Sequence, residues 1–282
     1  MTPKKTPIGA RYVQRVNEVN DQLCFAALQQ WELERRLAEV IAIRSSDYTH
    51  QIFPDNPFAM RIHRQMQDLP RFVNGTKQIA LRMGVIAAVE HFLAYLEDVQ
   101  LFRSKLRPSA VDTILDDAEE EQLRKKIKAW AGSSPPPEYF LTFGYLRLLR
   151  NHYAHVNDAP HTSLDTYIRT KGTILNRFWK KRGTALQQLD FKTVATSPLT
   201  PEIAFEIINV LRISLVEVDR MVAETCGLQE IVLNVLQDKK QKRLNPQIPR
   251  ERLSSKVRGR ISSDWGWDVS LSEVTRAIAG LR

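Results

Sequence analysis

From about Arg11 to Arg44, apolar side chains recur at intervals of three and four: Val16, Val19, Leu23, Ala26, Leu33, Leu37 and Val40. That spacing puts them on one stripe of a helix eight or nine turns long. A second stripe, from about Lys77 to Lys105, runs through Ile79, Met83, Ile86, Val89, Leu93, Leu96 and Val99. Two such segments in 282 residues, with no sustained alternation of apolar and polar positions and no internal repeat, predict an all-α fold built from long helices.

The punctuation divides the rest. Pro54 and Pro57 break the chain after the first helix, and Pro70 interrupts a short helix expected over Phe58 to Leu69. Ser109, with Asp112 three residues on, caps a charged surface segment reaching Trp130. Gly132 to Pro137 is a loop, and Glu138 to about Val156 is a helix with Phe140, Leu141, Tyr145, Leu148 and Leu149 on its apolar face, closed by Asn157 to Pro160. Ser163 caps a helix expected to reach about Leu189. Thr200-Pro201 starts another, Glu202 to Cys226, because a proline in the first turn loses no intrahelical bond. A shorter helix covers Leu228 to Asp238, and Ser270 with Glu273 is a capping box for a last helix to about Leu281. Trp265 and Trp267 precede it, buried against the chain's own body or a partner surface.

Charge divides the chain into two parts. Nine Lys or Arg residues stand against Glu251 between Lys239 and Arg260, so that segment is +8 of a net +9. The expected organisation is a helical domain over 1–238 and a basic segment with a short C-terminal helix over 239–282. The basic segment suits a phosphate-bearing polymer, or else is a solvated linker. No stretch is expected to span a bilayer and no secretory leader is evident. Cys24 and Cys226 are too few and too far apart for a disulfide framework, which points to a reducing, cytoplasmic setting.

Several enzyme classes lack their signatures. The eleven glycines form no phosphate-cradling loop, there is no His-Glu-x-x-His pair or clustered Cys/His set, and no serine sits in a nucleophile elbow. No cofactor or metal is expected. The concentrated chemical signal is Arg150-Asn151-His152-Tyr153-Ala154-His155, directly behind an apolar helical run. An arginine followed at this distance by a histidine occurs three times, at Arg44/His50, Arg147/His152 and Arg150/His155. Only Arg150 is followed by an amide, Asn151. On an unbroken helix Arg150 and His155 would point about 140° apart, so they converge only if the helix ends or bends there, or if two copies meet.

Arg150-Asn151-x-x-x-His155 resembles the Rx4–6H motif of the HEPN superfamily, in the form with a polar residue after the arginine. The resemblance implies a HEPN-like multi-helix bundle and a homodimer whose two motifs line one cleft. It implies a metal-independent endoribonuclease of a toxin or antiphage-defence system, with RNA as substrate and an antitoxin or defence protein as a possible partner. Arg150, Asn151 and His155 would then be catalytic, with His152 and Tyr153 lining the substrate site. Imidazole exchanges a proton near neutrality, guanidinium holds phosphate oxygens, and the 2′-hydroxyl supplies the nucleophile. The alternative is a catalytically silent HEPN-like module that binds RNA or protein. His152 is expected to bond a backbone carbonyl rather than ligand, His91 is a structural histidine, and Glu90 reaches the cluster only if its helix is a neighbour.

Overall fold

The computed structural model describes residues 2–106, 118–155, 162–182, 186–237 and 250–281. Among them the chain forms α1 (Pro7–Arg44), α2 (Thr49–Ile52), α3 (Ala59–Ile62), a 3-10 turn (Met66–Asp68), α4 (Leu69–Leu106), α5 (Glu119–Ala131), α6 (Pro137–Ala154), α7 (Thr162–Lys181), α8 (Pro201–Glu224), α9 (Leu228–Gln237), α10 (Arg250–Trp265) and α11 (Leu271–Ala279). About 79% of these residues are helical and none belongs to a strand, so the fold class is all-α.

Caps set the boundaries. The Thr6 hydroxyl accepts the Gly9 N–H at 2.9 Å and Pro7 fills the first position of α1. Thr200 caps α8 through the Ile203 N–H at 3.3 Å, again with proline next. Ser270 and Glu273 form the expected reciprocal box on α11. Pro70 behaves differently from the expectation. It is the second residue of α4, where the N–H has no intrahelical partner to lose. It therefore opens the long helix instead of interrupting a short one, and α4 starts eight residues before Lys77. The expected start at Ser109 and stop at Asn157–Pro160 lie outside the described residues.

The main core joins α1, α4, α6, α7 and α8. α1 contributes Tyr12, Val16, Val19 and Leu23, while Leu33, expected on the same stripe, is 44% exposed and Leu37 joins a separate cluster with Met66 and Leu69. α6 lies at the centre: Tyr139, Phe140, Phe143, Tyr145, Leu146, Leu149 and Tyr153 are all buried, covering most of its circumference. Phe143 stacks on Phe92 of α4 with ring centroids 3.9 Å apart. α7 stops at Lys181 rather than near Leu189. Downstream, the N–H groups of Gln187 and Leu189 donate to the Glu206 carboxylate of α8 at 2.8 and 2.6 Å, an alternative to helix continuation that local sequence did not reveal.

By length and composition α4 would pass for a membrane span, contrary to the reading that no stretch approaches that length. In the structure its Leu81, Val85, Ala88, Val89, Phe92, Tyr95, Leu96 and Val99 belong to the main core.

A second core gathers α9, α10 and α11 around Trp265, with Ile231, Val232, Val257, Ile261 and Val274 all fully buried. Half of the basic segment is thus a packed helix, and the residues on either side of position 238 share one cluster. Phe102 of α4 reaches Trp265 at 5.8 Å between centroids. Arg103, 2% exposed, donates to the Thr225 hydroxyl and carbonyl at 3.0 and 2.9 Å and lies 3.6 Å from Glu230. The N-terminal strand of coil closes the seam, with the Lys4 N–H donating to the Trp265 carbonyl at 3.0 Å. Trp265 is buried against the chain itself.

Asp219 fastens that coil. Its carboxylate accepts the Thr6 N–H and hydroxyl, both at 2.6 Å, and the Tyr95 hydroxyl at 3.3 Å. Burial pushes the Asp219 carboxyl from 3.8 up to about 6, opposed by the hydrogen bonds from Thr6. A Cβ on Gly9 would stand 2.0 Å from the Asp219 Cγ, so only glycine lets α1 pass this close.

Because the folded state holds this proton more tightly than the unfolded chain, stability contributed by Asp219 is present below about pH 4, is lost as pH rises to about 6, and changes no further above that. The difference amounts to roughly 3 kcal/mol. Asparagine can keep the Thr6 contacts, with the hydroxyl reversing to accept. Urea unfolding at pH 4.5 and pH 7 should therefore show Asp219→Asn losing that part of the pH dependence.

Candidate functional site

α6 ends at Ala154, and this termination shapes the site. His155 is the first residue beyond the helix, in extended backbone (φ −98°, ψ 137°), with its N–H still bonded to the Asn151 carbonyl at 3.2 Å. The chain turns out of the helix after His155. The His155 side chain is exposed.

Arg150 is held on both sides. One guanidinium nitrogen donates to the Asn151 Oδ1 at 2.8 Å, and another forms an ion pair with Glu90 of α4. The Arg150 and Glu90 side chains are 32% and 44% exposed, so the pair lies at a rim open to solvent. Arg150 Nε is buried and has no hydrogen-bond partner among the described residues. Guanidinium carries five donors, and the two contacts here leave part of its fork for another acceptor. Asn151 thus acts on the arginine.

Glu90 arrives through helix register. Going up α6, Phe143, Arg150 and Tyr153 meet Phe92, Glu90 and Arg82 of α4 in turn. The two helices therefore run antiparallel. No local signal in the sequence fixes that pairing.

The neighbouring candidates face elsewhere. His152 Nε2 lies 2.9 Å from the Ala195 carbonyl, a backbone contact. The Tyr153 hydroxyl donates to the Val194 carbonyl at 3.4 Å, and burial pushes the phenol up to about 12. Both pin α6 to the 191–199 turn. His91 looks towards α1, where burial and then the Arg15 charge lower its proton affinity. At the competing Arg44/His50 pattern, the Arg44 guanidinium is paired with Asp47 and His50 lies within the short α2.

Arg147, a turn before Arg150, has a different role. It forms a forked pair with Glu120 of α5, Nη2 to Oε1 at 2.9 Å, and Glu120 is nearly buried at 8% side-chain exposure. That hydrogen bond raises the guanidinium's proton affinity. Glu120 sits in the run Glu119–Glu121, which reads as a solvated patch in sequence, and nothing marks it as a core ion-pair partner.

Among the described residues no group of three His, Cys, Asp or Glu side chains converges as a metal site. Cys24 is exposed and Cys226 buried, its thiol pushed up to about 11 by burial. A groove of about 610 Å³ opens elsewhere, between α1, α4 and the start of α8, lined by Leu23, Trp31, Lys77, Leu199 and Phe205. Gln78 is engaged there with the Leu199 backbone and Lys77 with Glu34, so the groove's size does not make it the chemical centre. Comparison with protein-family profiles, with curated proteins and with solved structures found no match to this chain.

The two arginines should separate in a stability measurement. Arg147→Ala strands a buried carboxylate and should cost about 3 kcal/mol. Glu90→Gln breaks a solvent-exposed pair and should cost less than about 1 kcal/mol. Denaturant midpoints of the two variants at neutral pH provide the comparison.

Proposed function

We propose that the chain is a metal-independent endoribonuclease of the HEPN type, working as a homodimer, with Arg150 and His155 as catalytic residues and Asn151 and Glu90 as positioning residues. The observation that carries this reading is the end of α6 at Ala154, which leaves an exposed imidazole one residue past the helix and five past a guanidinium already braced by two neighbours.

The chemistry follows from what these groups do. His155 accepts the proton of the 2′-hydroxyl, whose oxygen attacks the adjacent phosphorus. The remaining Arg150 donors stabilise the charge gathering on the phosphate oxygens. The bond to the 5′-oxygen breaks, and that oxygen takes a proton from a second imidazole, the His155 of the other copy. The products are a 2′,3′-cyclic phosphate and a 5′-hydroxyl.

The exposed face of α4 supports the dimer. Ile79 and Met83 are 65% and 56% exposed, and Ile86 is partly buried. With Glu90 they follow one another at four, three and four residues, a single line along the helix leading to the Glu90–Arg150 pair. An apolar line of this kind suits an isologous contact, in which the same face of each copy covers the other. The biological setting that fits is a toxin or an antiphage effector, restrained by an antitoxin or another defence protein. The second reading, a silent module that binds RNA or protein, draws on the Glu90 carboxylate neutralising Arg150.

Total RNA incubated in EDTA should be shortened by the wild-type chain and left intact by His155→Ala and Arg150→Ala, both folded by circular dichroism. Intact but bound RNA with every protein, wild type included, selects the silent module. Met83→Glu places a charge in the proposed dimer line. Light scattering should then report a monomer, with cleavage falling in step by about tenfold or more, the rate equivalent of about 1.4 kcal/mol.

A further inference from the structure

The basic segment that begins at Lys239 includes the first part of α10, whose side chains hold fixed positions on the fold. The inner face of α10 is fixed by Leu253, Val257, Ile261 and Trp265, spaced four residues apart, the last three fully buried. Buried Ser254 accepts the Thr275 hydroxyl of α11 at 3.0 Å. With that side locked, the helix presents one constant face outward.

That face has an unusual composition. Arg252, Lys256, Gly259 and Ser263 lie directly opposite the packed side, flanked by Ser255, Arg260 and Ser262, and all seven are exposed. Arg252, Lys256 and Arg260 succeed one another at four-residue steps, each about 6 Å along the axis, a spacing on the scale of successive backbone phosphates. Like charges at this spacing repel and weaken a helix. Among the described residues no ion pair involves Arg252 or Lys256. Arg260 reaches Asp264 at 3.4 Å, and Arg258, round the side, pairs with Asp268 at 3.3 Å.

Nothing tall stands between the cations. Gly259 has no heavy atom within 4 Å of where a Cβ would be, so the fold's own packing makes no demand for glycine in mid-helix. Alanine would form a better helix there. The serines add short hydroxyls of the kind that bond phosphate and sugar oxygens. An anionic bilayer would call for apolar side chains interleaved with the cations, and this face has none.

We infer that the outward face of α10, through Arg252, Lys256 and Arg260, is a binding surface for the sugar-phosphate backbone of a nucleic acid. The inference stands on α10 alone and does not require the Arg150 cluster to cut anything. With no aromatic platform and no amide side chain on the face, binding tracks charge and is indifferent to base sequence.

The test uses the full chain carrying His155→Ala, so that RNA survives whether or not the wild type cleaves it. Fluorescence anisotropy follows a labelled single-stranded RNA, and the same sequence as DNA, across about 50 to 200 mM salt. Substituting Arg252, Lys256 and Arg260 together by serine should raise Kd at least tenfold at the low end. It should also flatten the plot of log Kd against log salt by about 2, the loss expected for three phosphate contacts on a single strand. Gly259→Leu leaves the charge unchanged and projects into open space, so it should keep the fold and still raise Kd severalfold by holding the backbone away. Affinity for both polymers, or for RNA alone, supports the surface. Unchanged Kd and slope in both variants would overturn it, as would binding only to phosphatidylserine vesicles. Cleavage by the wild-type chain is measured separately, so either reading can fail while the other survives.

Discussion

The stacking of Phe92 on Phe143, ring centroids 3.9 Å apart, sets the register on which the rest of the candidate site depends. Both rings are fully buried, and offset aromatic pairs of this kind add to the area they remove from water. Moving α6 by one turn relative to α4 would unmake that contact and carry Arg150 out of reach of Glu90. A hydrophobic contact between two long helices thus determines where a surface guanidinium meets its carboxylate. The polar pair at the rim is individually weak; it inherits its geometry from the core.

α6 combines two roles that usually fall to different elements. Its first four turns are packed on nearly every side, which fixes its axis. Its last turn emerges at the rim, where Asn151 and Arg150 are only partly covered and His155 leaves the helix altogether. His152 and Tyr153 belong to the packed role, tied to the carbonyls of Ala195 and Val194. Within six consecutive residues, His152 and Tyr153 serve the interior and the residues on either side of them the surface. A short motif read only as a string mixes the two.

What the sequence revealed depended on how local the determining interaction was. Thr200-Pro201 and the Ser270/Glu273 box could be read directly, because each cap is formed by residues within one turn of one another. α10 was hidden by composition: nine basic residues in 239–260 dominate the impression, while the apolar spacing Leu253, Val257, Ile261 and Trp265 is carried by only four side chains. Beyond the end of α7, Glu206 of α8 captures the N–H groups of Gln187 and Leu189, a contact made by tertiary structure. Pro70 reads as a break from sequence alone, since a proline looks the same at a helix start as in its middle. In the candidate site, the motif residues could be named in advance, whereas Glu90 and Glu120 as their partners required the antiparallel pairing of α4 and α6 and the docking of α5.

The coil at residues 2–6 has a consequence for how this chain is made. Thr6 is bound to Asp219, 213 positions later, and Lys4 to the carbonyl of Trp265, later still. Thr6 therefore leaves the ribosome 213 residues ahead of the carboxylate it binds, and its native contacts wait for that interval. Chain growth proceeds at about 5–20 residues per second, so the interval lasts on the order of tens of seconds. Throughout it the start of α1 lacks the carboxylate that Thr6 will bind, and the main core stays open along one seam. The pace of synthesis thus sets the earliest moment at which this seam can close.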